Sequence, residues 1–381
     1  METIKFLNGC TFMRDSAEQA LNRLTERYGI KWKEDDNTGL YVLNYDQIDS
    51  SKHKFNQIVR ECRSLVLATE SIGDMNEPQF YVVSRSFDRF FNYSEEFGNE
   101  YDLTKLIAHE KMDGSLVSLF YVEGEGWLYR TKSMIMPAED MKINGFDTSW
   151  KEIIEEALMY NKLLDYTLDE RDTYIFEICS PENRVVTRYE GRTATLLAIR
   201  VNETGQYQSS EWCDEMACVN GWQRPRTWEF NNWEEVLQGA KDLPNLEEGY
   251  VMYHDEFNLP VMKCKNPAYV AAHHLRGEGL NPKRCMDLVI INETDEYLTV
   301  FPEDVNILQP YITAYEMLEF TTNYLYDDWK FIREQKEFAL AVKDYPQQGI
   351  FFTMRKQGLT FKQAFDKLTS NAKYKLIQSF L

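Results

Sequence analysis

With 381 residues, 43% of them hydrophobic and 14% aromatic, the chain is long enough for two domains with a sizeable core and too apolar for a disordered tail. Its net charge of −20 excludes a nonspecific nucleic-acid coat, because a polyanion is repelled at long range. No apolar run reaches membrane-span length, the opening 1-METIKFLNGC lacks a secretory pattern, and seven scattered cysteines read as reduced thiols of a cytoplasmic protein.

The first periodic segment, 14-RDSAEQALNRLTERYG-29, places Ala17, Ala20, Leu21 and Leu24 on one helical face and stops at Gly29. From about Leu40 the texture becomes short β-type runs: YVLNY, RSLVLA, FYVVSRSF, SLVSLFYV and WLYRTKS. A helical insert follows at 149-SWKEIIEEALMYNKLL-164, where Ser149 and Glu152 make a capping box. Strands return as TYIFEICS, RVVTRY, TATLLAIRV, EEGYVMYH and PVMKCK. Past residue 275, Asn281-Pro282 reads as an N-cap and first helical position. Residues 310–345 carry one continuous helical periodicity, broken by Pro346 and Gly349, which assigns the aromatic run 313–329 to a core. Thr360 opens a last helix with Phe361, Phe365, Leu368 and Ala372 on one face. The expected class is α+β: a body of antiparallel sheets with flanking helices over residues 1–275, then an all-α domain over 276–381.

The acidity is uneven. Segment 261–284 holds five Lys/Arg against one Glu, and the tail 351–381 holds six against one Asp. These are either solvated helix faces or an anion-binding surface.

The chemistry concentrates around 109-HEKMDGSLVSLFYV-122. Asp113-Gly114 between apolar runs is a hairpin signal, since Gly accepts positive φ without steric cost. On a bland reading Lys111 is then a solvated strand-end charge. On a chemical reading it is a nucleophile on a rigid hairpin. A free lysine is neutral about one time in a thousand near pH 7.4, so burial and neighbouring cations would have to disfavour its ammonium form. A phosphoryl-type reaction also needs fixed cations and carboxylates. Candidates lie in 61-ECRSLVL-67, 84-SRSFDRFFNYSE-95, 130-RTKS-133, 174-YIFEICSPENRVV-186, 247-EEGYV-251 and 261-VMKCK-265. Strand alternation puts Lys263 and Lys265 on one face, with Met262 and Cys264 on the other. Glu177 shares a face with Ile175 and Cys179 between Phe176 and Ile178, where a carboxylate is usually paired or functional.

The order K-x-D-G, F-E, E-G-Y-V, K-x-K resembles the covalent nucleotidyltransferases, which are DNA ligases, RNA ligases and capping enzymes. The boxes ECRS, DRFFN, KMDGS and KCK resemble more closely RNA ligase 1 of the T-even bacteriophages. The resemblance spans essentially the whole chain, more loosely beyond residue 275. It implies a nucleotidyltransferase (ATP-grasp-like ligase) domain and an RNA- or tRNA-specific helical domain. It implies that Lys111 attacks the α-phosphate of ATP, Glu177 binds the ribose, and Glu248 positions Mg²⁺ or Mn²⁺ through water. Lys263 and Lys265 would neutralise phosphate, with Lys265 as acid or electrostatic catalyst. Arg63, Arg89 and Lys132 would grip the triphosphate or an RNA 5′-phosphate, and Tyr45 and Glu110 would complete the nucleotide contacts.

Two departures stand out: Ser64 where the family usually has glycine, and Arg89 where it usually has lysine. The implied activity is ATP-dependent joining of RNA 5′-phosphate and 3′-hydroxyl ends, in repair of broken tRNA anticodon loops. The implied setting is a monomer in a phage-infected host cytoplasm, with an end-healing kinase/phosphatase upstream and no membrane. A DNA ligase or capping enzyme is the chemical rival, although those usually append a β-barrel where the sequence after Lys265 reads helical. A non-catalytic nucleotide- or RNA-binding protein is the rival of another class.

Overall fold

The computed structural model describes residues 1–72, 77–93, 101–143, 146–163, 165–244, 246–277 and 280–381. The ends of two stretches singled out above, residues 94–95 and 164, lie outside these. The chain divides into two compact units, Met1–Ala271 and Ala272–Leu381.

The first unit opens with a helix at Glu2–Phe12 that the sequence pattern does not signal, then the expected helix at Ala17–Tyr28. The latter has a Ser16–Gln19 capping box and ends on left-handed Gly29. Four strands follow: β1 (Ile30–Glu34), β2 (Tyr41–Tyr45), β3 (Arg63–Ile72) and β4 (Glu77–Arg85). They form one antiparallel sheet in sequential order. The two helices bury Leu7, Ala20, Leu21 and Leu24 against Leu43, Leu65 and Leu67 of that sheet.

Next come β5 (Phe91–Asn92), β6 (Leu106–Glu110), β7 (Ser115–Val122), β8 (Gly126–Arg130), β9 (Asp172–Cys179) and β10 (Thr193–Val201). The last strands are β11 (Thr227–Trp228), β12 (Gly249–His254) and β13 (Leu259–Lys265). They sort into two sheets, β10-β9-β7-β8 and β11-β6-β12-β13-β5. Every strand pair in the unit is antiparallel except β13 with β5. The helix Trp150–Leu158, capped by Ser149 and Glu152 as expected, packs Ile153, Ile154 and Leu158 onto β9 and β10.

Two expectations for this unit fail. The Asp113-Gly114 turn closes no hairpin, because β6 and β7 belong to different sheets and the turn carries the chain from one to the other. Gly114 is required there by close approach and not by positive φ: a Cβ would lie 2.3 Å from the Ile178 carbonyl oxygen. RVVTRY is not a strand either. The amides of Val186 and Thr187 donate to Asp113 Oδ2, at 2.8 and 2.7 Å, instead of to a neighbouring strand.

The second unit is helical throughout its described elements, and the Asn281 cap and Pro282 start are as expected. The long periodic stretch is two helices, Val305–Trp329 and Gln335–Val342. The break places Ile332 beside Phe338, Val342 and Phe351, a satellite core that a continuous rod would not close. Pro310 lies inside the first of these helices and Gly349 inside the helix Gln348–Gln357, so neither ends one. The last periodic segment is also split, into Phe361–Asp366 and Ser370–Gln378. Of the aromatic run, Tyr315 packs into the core, whereas Phe320 and Tyr324 stack on each other in the open. Met286, Leu318, Ile350, Met354, Phe361, Phe365 and Ile377 form the core.

Candidate nucleotide site

β6 lies between β11 and β12, and β13 flanks β12 on its other side. This order sets the ends of three strands side by side. Lys111, just past β6, donates its amide to the Gly249 carbonyl at 2.9 Å. Gly249 in turn stands opposite Lys265 in the β12–β13 register. Glu248 is therefore held between the two lysines. Its Oε2 is 2.5 Å from Lys111 Nζ and its Oε1 is 2.8 Å from Lys265 Nζ. The Glu248 side chain is only 5% exposed, against 20% for Lys111 and 35% for Lys265. Lys263 projects from the same face of β13 as Lys265, while Met262 and Cys264 are buried on the other face against the helix Trp233–Lys241, as the alternation requires.

The second sheet contributes Glu177. Its Oε1 accepts from the Gly114 amide at 3.1 Å, so the glycine that lets the chain pass β9 also fixes the carboxylate. Asp113 braces the same turn. Besides the Val186 and Thr187 amides it accepts from the Tyr269 hydroxyl at 2.6 Å, and the Asp113 amide donates to the Tyr189 hydroxyl at 3.0 Å. Lys111, Glu177, Lys263, Arg63 and Glu110 line one cavity.

Electrostatics divide the lysines. Burial pulls Lys111 down, but the charges of Glu248 and Glu177 outweigh it and hold the ammonium above the ordinary lysine range. The expectation of a nucleophile neutralised by burial and cations is thus not met for this lysine in the isolated protein. Lys263 shows that behaviour instead: burial, then the charges of Arg63, Lys111 and Lys265, push it down to about 7. Burial raises Glu177 to about 7 despite Lys111. Glu248 is held low, because its two lysines overcome the burial penalty.

The other expected residues differ in placement. Arg63 sits over the Phe90 ring at 5.3 Å, and Lys263 over the same ring at 4.7 Å. Arg89 stacks on Tyr45 at 4.5 Å and on Phe91 at 5.4 Å. Buried Nη1 atoms of Arg63 and Arg89 have no hydrogen-bond partner among the described residues, and of the two only Arg63 lines the cavity. Glu110 lines the cavity, but its carboxylate is gripped by Arg226 through two bonds of 2.9 Å, and Arg226 also pairs with Glu247 at 2.7 Å. Lys132 does not line the cavity; its carbonyl accepts from Asn44 Nδ2 at 2.8 Å. Asn44 also accepts from the Ser64 amide at 2.9 Å, holding Ser64 at φ 55°, in the left-handed region that glycine adopts freely. The serine therefore keeps a glycine-type backbone beside Arg63.

Sequence reasoning does not single out Arg226, Tyr269, Tyr189 or His109. The first three act through partners 21 to 156 positions away, and no local pattern signals such pairs.

A family described as RNA ligase matches residues 61–269, more than half of the chain, a stretch that includes Lys111, Glu177, Glu248, Lys263 and Lys265. The chain belongs to the RNA ligase family. A protein of Autographa californica nuclear polyhedrosis virus, named for polynucleotide kinase and RNA ligase activities together, is 31% identical over 96% of this chain and 52% of its own length. The chain thus spans about half of that relative. An RNA ligase of Rhodothermus phage RM378 is 25% identical, over 78% of this chain and 82% of the phage protein. Among solved structures, an archaeal ATP-dependent RNA ligase (form 2) aligns with a TM-score of 0.45 and 13% identity over 76% of this chain and 70% of that one, a likeness too loose to bear on the site.

Proposed function

We propose that this protein is an ATP-dependent RNA ligase working through a covalent lysine–AMP intermediate. The observation that carries the reading is the Lys111–Glu248–Lys265 bridge facing Glu177, set within the segment that matches the RNA ligase family. Lys111 Nζ attacks the α-phosphorus of ATP; an N–P bond forms, the P–O bond to the β-phosphate breaks, and pyrophosphate leaves. Attack needs the neutral amine, so the ammonium first gives up one proton, with its nearest acceptor in Glu248 2.5 Å away, and the second proton leaves with the pyrophosphate. Lys263, Lys265 and Arg63 offset the phosphate charge, Arg89 and Tyr45 extend that grip, and Glu177 orients the sugar. AMP then passes to an RNA 5′-phosphate, and a 3′-hydroxyl displaces it to seal the strand.

Among the described residues no three His, Cys, Asp or Glu side chains cluster as a metal cage. One or two carboxylates plus substrate phosphates is how Mg²⁺ is commonly bound, and Glu248 fits that pattern through an intervening water. A divalent ion held there, Mg²⁺ or Mn²⁺, would supply charge neutralisation at the phosphates.

The substrate class is RNA, with broken tRNA as the preferred form and an end-healing kinase/phosphatase acting upstream; the kinase named in the baculoviral relative supports that pairing. In this reading the helical unit chooses the RNA and the enzyme acts as a cytoplasmic monomer.

The test is incubation with α-labelled ATP and a divalent metal, denaturing electrophoresis and intact mass, with Lys111→Ala alongside. Label that survives denaturation in wild type and vanishes in the variant is the expected result. Absence of both label and an AMP mass increment from wild type would refute the reading.

A further inference from the structure

Strand alternation puts His109 on the same face of β6 as Lys111, two residues away, or roughly 7 Å along the strand. It lines the same cavity, is 4% exposed, and lies flat on the Tyr253 ring with centroids 4.2 Å apart and planes 21° from parallel. Its Nδ1 is buried without a hydrogen-bond partner among the described residues. Leu116, Leu197 and Val251 supply apolar walls around it. The charged residues of the cavity gather around Lys111, and the part walled by these apolar side chains suits a flat heteroaromatic ring.

We propose that His109 is a specificity-determining residue that reads the nucleobase, its Nδ1 accepting a hydrogen bond from the exocyclic amine of a 6-aminopurine. The inference rests on the lysine–AMP reading above and adds to it the group that recognises the base. Burial, with Arg224 nearby, pushes the imidazole down to about 4, so that it is neutral at physiological pH and keeps one nitrogen as an acceptor. Tyr253 fixes the ring plane, which lets a single contact discriminate. A nucleotide without the amine leaves Nδ1 unmet in a dry slot, and an unmet buried acceptor is costly.

The experiment compares lysine–nucleotide adduct formation from ATP and from purine riboside triphosphate, which lacks only the amine, in wild type and in His109→Phe. The phenylalanine preserves the stack on Tyr253 and removes the nitrogen. Wild type is expected to favour ATP by about ten- to a hundredfold in rate per unit concentration, and His109→Phe to lose that preference. A preference that survives in His109→Phe, even with both rates lowered, would assign the residue a packing role and overturn the proposal. Wild type alone also decides: equal reaction of the two nucleotides removes His109 from base reading while leaving adenylation intact. Absence of any adduct would instead bring down the ligase reading itself.

Discussion

Replacing Glu177 by glutamine separates what this carboxylate does for the fold from what it does for the site. Its carboxyl titrates at about 7 in the folded protein against 4.5 for the free group, with burial as the leading cause. Because the folded value is the higher one, the folded state holds a proton between pH 4.5 and 7 that the unfolded chain has lost, and stability falls as pH rises through that window. Below 4.5 both states are protonated and the effect is absent; above 7 it is complete. A carboxyl raised from 4.5 to about 7 corresponds to roughly 3 kcal/mol. Glutamine keeps an oxygen for the Gly114 amide but cannot ionise. Glu177→Gln should therefore match wild type in urea denaturation at pH 4.5 and exceed it by about 3 kcal/mol at pH 8, while losing adenylate formation. Taking the difference between the two proteins cancels the titration of groups that do not interact with Glu177. A gap equal at both pH values would refute the reasoning.

Further outcomes follow from the same geometry. Asp113→Ala removes an acceptor for two buried amides and the Tyr269 hydroxyl, and should cost about 3 kcal/mol, with faster proteolytic cleavage between residues 184 and 189; Tyr269→Phe should cost about 1 kcal/mol by the same denaturation assay. Gly114→Ala forces a methyl to within 2.3 Å of a backbone oxygen, so thermal melting should show a loss of at least about 2 kcal/mol and labelling should show no adenylate. Ser64→Gly relieves a positive-φ side chain and should leave the melting temperature unchanged or raise stability by up to about 1 kcal/mol, with adenylation retained. In the basic tail, Lys373 is tied down over Phe365 and near Asp366, whereas Lys375 is exposed. Lys375→Glu should therefore weaken tRNA joining more than self-adenylation in parallel kinetic assays; equal loss in both would remove the tail from RNA docking.

Much of the geometry of the candidate site is legible in the amino-acid sequence, because its residues lie in or beside short strands with a period of two. Lys263 and Lys265 must share a face, Glu177 must interrupt an apolar strand, and Lys111 must precede a tight Asp-Gly turn. Capped helices such as Ala17–Tyr28 and Trp150–Leu158 are equally plain, since caps and amphipathic spacing act within a few residues. Partnership is not legible in this way. Whether the Asp113-Gly114 turn closes a hairpin or links two sheets depends on which distant strands claim β6 and β7. RVVTRY has strand-like composition, yet a carboxylate more than seventy positions away claims two of its amides. The charge state of Lys111 is likewise a tertiary matter. Sequence supplies the cations and the apolar surroundings, but only packing sets Glu248 2.5 Å from its ammonium with the Glu177 charge nearby, and together these outweigh the desolvation that would otherwise neutralise it.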